Sequence, residues 1–192
     1  MWANACREPS SPSALLKFIS FSAVGISLFL FVPTTIAAPP NDACNLPQGL
    51  QRKIARDYPG AKLVSLSDLS DEDKSFFTGD HGNACPGKAE VDFYGDGNPT
   101  LALALIAEKG GKEKSTLIVA HQVGSKWRTR LLDTADSAVA VVWSEDAGEY
   151  QDVYGEKKIR ASHQVIVFCQ YGTWSILYAW TNNRVEKIWL SD

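Results

Sequence analysis

The sequence has no surplus of positive charge: 19 Lys and Arg stand against 22 Asp and Glu in 192 residues. A nucleic-acid binder neutralises phosphate with a basic stripe, and a membrane-surface protein uses a polybasic patch, so neither class is expected. The local signatures of common catalysts are missing too. There is no Gly-x-Ser-x-Gly elbow, no His-Glu-x-x-His and no phosphate-binding loop. The histidines, His81, His121 and His163, are scattered, and no two cysteines are close in sequence, so a metal centre of the zinc type is not expected. Low-complexity linkers and internal repeats are also lacking, which points to one domain.

A single stretch is long and apolar. Arg7 and Lys17 precede the uncharged run from Phe18 to Val32, Pro33 ends it, and Thr35-Ile36-Ala37 carries the small residues of a cleavage site. The run falls short of the ~20 apolar residues that a spanning helix needs. Residues 1–37 are therefore read as a secretory signal, 38–43 as an extended leader and 44–192 as the domain. The competing reading is an uncleaved anchor, the only route by which a membrane enters. Without Arg7, Lys17 and Glu8 the balance becomes 17 basic and 21 acidic residues, a net charge of −4. A periplasmic or secreted protein is expected.

Export implies an oxidising compartment, where cysteines pair. Cys44 and Cys85 sit in polar, loop-like sequence, whereas Cys169 lies inside Val165-Ile166-Val167-Phe168-Cys169. The expectation is a Cys44–Cys85 disulfide with Cys169 buried and free, although all three connectivities stay open.

Leu46, Leu50, Ile54 and Tyr58 recur every four residues and Pro59-Gly60 follows, which predicts an amphipathic helix. A short strand is expected at Lys62–Leu66. Asp71, Glu72 and Asp73 suit the dipole at the start of a short helix in the acidic segment that follows. From Lys88 onward the pattern is strands: Ala89–Phe93, Thr100–Ala107, Thr116–Val123, Trp127–Leu132, Ala138–Trp143, Gln164–Gln170, Trp174–Thr181 and Arg184–Leu190. Gly110-Gly111, Gly124-Ser125 and Asn182-Asn183 are turn pairs between them. The run Ser144–Glu149 reads as solvated loop charge. Leu101 to Ile106 is apolar at every position, so this strand is central, with a helix on one face and a folded-over sheet on the other. The fold class expected is α+β: a mostly antiparallel β-sheet with one N-terminal amphipathic helix packed on it.

Three features are candidates for function. A two-residue turn at Asn182-Asn183 places Trp174, Tyr178, Trp180 and Trp189 on one face, which is a binding platform if exposed and core if covered. The segment Asp92-Phe93-Tyr94-Gly95-Asp96-Gly97-Asn98-Pro99-Thr100 resembles the Asp-Gly-rich calcium loops of FG-GAP and VCBS repeat proteins. That resemblance implies Ca²⁺ ligands at Asp92, Asp96 and Asn98, with Tyr94 and Thr100 standing where oxygen ligands are usual; a plain hairpin turn accounts for the same residues. His81, beside Asp80 in a polar segment, is the candidate base of an envelope-polymer hydrolase. The wider layout, the Gly95-Asp96-Gly97-Asn98-Pro99 turn before an apolar strand and the ending Tyr178-Ala179-Trp180 with Trp189-Leu190-Ser191-Asp192, resembles a loosely defined group of secreted bacterial proteins; it implies export and brings no activity. The expectation is a small exported binding or inhibitor-type module without a cofactor, its partner a secreted or envelope protein.

Overall fold

The computed structural model describes residues 43–136 and 138–192. The expected signal segment and nearly all of the leader lie outside the described residues. Apolar periodicity gives the first element, α1 (Gln48–Asp57), which buries Leu50 and Ile54 and ends at Tyr58 before Pro59. A two-residue strand, β1 (Lys62–Leu63), and a 3₁₀ turn (Leu66–Asp68) follow. A second helix, α2 (Asp71–His81), stands where Asp71, Glu72 and Asp73 predicted a short helix, and adds to the one helix named in the expected fold class. Ser70 caps it by accepting from the Asp73 N–H, and Asp71, Glu72 and Asp73 fill its first turn.

The remaining elements are β2 (Lys88–Glu90), β3 (Thr100–Lys109), β4 (Lys112–Val123), β5 (Lys126–Asp136), β6 (Val141–Glu145), β7 (Gly148–Gln151), β8 (Lys158–Ala161), β9 (Val165–Gln170), β10 (Trp174–Thr181) and β11 (Arg184–Ser191). All recorded pairings are antiparallel. One sheet runs β1-β3-β4-β5, with β2 beside β1 on the same edge of β3; a second runs β11-β10-β9-β6; β7 and β8 form a separate hairpin. That hairpin corrects the loop reading of Ser144–Glu149: Ser144 and Glu145 end β6, and Gly148 and Glu149 open β7. Its strands have few apolar residues, so nothing in their composition announced them; they form because Ile159 and Ala161 are buried.

The central strand β3 is covered on both faces over most of its length, as its apolar sequence requires. Leu101, Leu103, Leu105, Ile118 and Ala120 point to α1 and make a small core with Leu50 and Ile54. The opposite side, with Ala102, Ala104, Ile106, Leu117 and Val119, joins the second sheet in the main core. Both faces of β9 are shut in, since Val165 through Cys169 are at most 1% exposed. Beyond the second sheet, the His81 ring of α2 meets Trp143 of β6 at 4.9 Å.

Cys44 and Cys85 are joined by a disulfide that spans 41 residues and ties the start of the domain to the segment entering β2. This bond fits an oxidising environment. Cys169 is buried as expected but is not free, because its sulfur is also disulfide-bonded. Among the described residues no helix is long and apolar enough to cross a membrane.

Candidate functional site

The C-terminal hairpin carries the expected register. Asn182 and Asn183 turn with φ of 50° and 60°, the left-handed pair of a two-residue hairpin turn. Trp180 then faces Val185, Tyr178 faces Lys187 and Ile176 faces Trp189. The aromatic side is no open platform. Tyr178 is 1% exposed, and Trp174 and Trp180 are half-buried. The Tyr178 hydroxyl donates to the Asp133 carboxylate of β5, and the Lys187 ammonium donates to the same oxygen. Burial, then the hydrogen bond to Asp133, pushes the Tyr178 phenol far above its ordinary value. Burial also disfavours the Asp133 anion, but hydrogen bonds from Lys187, Tyr178 and the Thr134 N–H outweigh it and hold this carboxyl below the usual aspartate range. Trp174 packs on Phe168, and Trp180 lies between Tyr94 and the Arg130 guanidinium. Trp189 alone of the four stays at the surface, near Val153, whose N–H donates to the Trp189 carbonyl.

The Asp92–Thr100 segment is divided by the strand pleat. Ala89, Val91 and Phe93 enter the main core, so Glu90 and Asp92 point to the opposite side. The Asp96 carboxylate is bound by the Asn98 backbone N–H at 3.1 Å, by Asn98 Nδ2 at 2.9 Å and by His121 Nε2 at 3.1 Å. These Asn98 bonds, aided by His121, hold the Asp96 carboxyl below its ordinary value. His121 Nδ1 bonds Thr100 Oγ1 at 2.8 Å across the β3–β4 pair. Hydroxyl, imidazole and carboxylate thus form a chain, but the hydroxyl is spent on His121 and the Asn98 carbonyl, and Thr100 is 4% exposed. The chain clamps the loop onto β4. A Cβ at Gly95 would fall inside the His163 ring, which fixes the loop from its other side. Of the three calcium candidates, Asp96 and Asn98 are bonded to each other and Asp92 is turned away. Among the described residues no three His, Cys, Asp or Glu side chains are gathered as a metal would need. His81 lies between the rings of Phe77 and Trp143, while Asp80 is exposed.

A concave feature lies elsewhere among the described residues. α1 covers only part of the helix-side face of the first sheet. Past its first turn that face continues as an open cleft of about 850 Å³. Leu101 forms the floor, Leu46 and Pro47 one wall, and Trp127, packed against the small core, another. The rim is polar. Glu90 and Asp92 project into it with no hydrogen-bond or ion-pair partner among the described residues, while the Lys88 ammonium donates to the Asn45 carbonyl. Three side-chain amides are each held by one end: Gln164 accepts from the Asp92 N–H, Gln122 donates to the Gly124 carbonyl and Asn98 donates to Asp96. Sequence reasoning missed this cluster apart from Asp92 and Asn98. The alternation of the Ala89–Phe93 strand already separated Glu90 and Asp92 from the core, and the Gly124-Ser125 turn sets Gln122 opposite Trp127. Gln164, brought in from β9's approach, carries no local signal. No protein family, curated protein or solved structure matches this chain.

Proposed function

We propose that the protein is an exported, non-enzymatic binding module that works in the periplasm or outside the cell and holds an envelope or extracellular component in the cleft beside α1. The observation that carries this reading is the concentration of unpaired Glu90 and Asp92 and one-end-anchored amides around an apolar floor. Sites for ligands are concave, with a few placed polar groups over apolar lining. The disulfide and the apolar leader support export. The hydroxyl–imidazole–carboxylate chain at Thr100 is consumed in holding a loop, which favours binding over catalysis.

The test compares the wild type with a Glu90→Arg, Asp92→Arg double variant as baits in envelope extract, with protein and polymer fractions assayed separately. Both positions are exposed, so the fold should survive. A component retained in stoichiometric amount by the wild type and lost by the variant, with an unchanged melting temperature, supports the reading. Equal retention by both proteins, or none by either, overturns it. Mass analysis of the cell-envelope protein checks export: a mature chain beginning at Ala38 is expected.

A further inference from the structure

We infer that the cleft takes a neutral saccharide, a conclusion that rests on the cleft being the binding site. The groups that face it are of mixed sign as hydrogen-bonding partners. Glu90, Asp92, the free oxygen of Gln122 and the free oxygen of Asn98 only accept, whereas the Gln164 amide nitrogen and the Lys88 ammonium only donate. A cationic peptide side chain would satisfy the carboxylates and leave the Gln164 donor unmet. A phosphate or sulfate group would face two carboxylates against one ammonium. Sugar hydroxyls donate and accept from the same atom, so vicinal pairs meet both kinds of group. A pyranose also has a flat C–H face, and the Trp127 indole, half-exposed in the wall, offers the flat apolar surface for it. The amides are fixed before a ligand arrives, which lowers the ordering cost that long, free side chains would add. At about 850 Å³ the cleft falls in the ordinary range for small-ligand sites, roughly 300–1,000 Å³.

Calorimetry and amide chemical-shift mapping with chitotriose, cellotriose and maltotriose test this, with trilysine as the rival probe. The expected result is saturable binding of at least one trisaccharide that shifts the Glu90, Asp92, Gln122 and Trp127 amides. Glu90→Ala combined with Asp92→Ala should weaken it at least ~10-fold, equivalent to about 1.4 kcal/mol. Neither carboxylate supports the fold, so this variant stays folded even if Trp127→Ala disturbs the small core. Trp189→Ala should leave binding intact. Binding of trilysine alone, binding of no probe, or sugar binding indifferent to the double variant overturns the inference. If the sugars fail while retention from envelope extract is still lost in Glu90→Arg, Asp92→Arg, the saccharide is wrong and the cleft stands. If retention is equally indifferent to that variant, both fall.

Discussion

Tyr178 is a buried phenol and Tyr171 a half-buried one with a buried hydroxyl, and their surroundings differ. The Tyr178 hydroxyl donates to Asp133, whereas the Tyr171 hydroxyl is buried without a hydrogen-bond partner among the described residues. Removing a satisfied hydroxyl costs more than removing an unsatisfied one, because the partner is stranded. Tyr178→Phe should therefore lower stability by about 1–3 kcal/mol, and Tyr171→Phe should be neutral or stabilising by up to about 1 kcal/mol, in urea titrations. Asp133 gives a pH signature of definite sign. Its folded value lies below its unfolded value, so its stabilisation is complete above the ordinary aspartate range and is lost as pH falls through the folded value. Stability should fall below about pH 4. In Asp133→Asn the acid limb should be flatter while stability at neutral pH is lower. An unaltered acid limb in that variant would remove Asp133 from the account.

Turns set much of what the elements do. Asn182-Asn183 fixes the pairs of the last hairpin from Thr181–Arg184 to Ile176–Trp189, beyond which a bulge shifts the register, and counting outward from Gly110-Gly111 brings Thr100 opposite His121. Both glycines have positive φ, at 65° and 74°, as a two-residue hairpin turn demands. A β-branched residue is penalised in that conformation by about 1–2 kcal/mol. Asn183→Val should show this loss in thermal melts, and Asn183→Gly should not. The same turns explain why the helix α1, the doubly covered β3 and the β10–β11 register were legible in the sequence: each depends on local periodicity or on a short count from a turn. The β7–β8 hairpin was not legible, because its burial comes from neighbours distant in the chain. The clamp of Asp96 on His121 needed the loop's path, and the cleft needed to know where α1 stops covering the sheet. The disulfide acts at this scale too. By the chain-entropy relation, closing a loop of 41 residues contributes about 4 kcal/mol. The Cys44→Ser, Cys85→Ser protein should lose that much in chemical denaturation.

At the scale of the whole molecule, the first sheet separates two cores of unequal size. The main core joins both sheets, with Leu177, Val167 and Phe168 fully buried in it, while the small one holds α1 down through little more than Leu50 and Ile54. Local opening follows the least apolar contact, so α1 should be the part of the fold that opens most easily. Leu46 and Pro47, which lead directly into α1, wall the cleft, so that mobility would sit next to the proposed ligand. Hydrogen exchange separates the two cores. Ile54→Ala removes buried methyl groups from the small core and should speed exchange in α1 and at the β1 edge, leaving β9 and β10 protected. Leu177→Ala should cost about 2–5 kcal/mol and raise exchange everywhere together, because no part of the domain survives loss of the shared core. If Ile54→Ala speeds β9 and β10 as much as α1, the cores act as one cooperative unit. The cleft wall would then be as rigid as the sheet beneath it, and a ligand should protect α1 no more than it protects β10.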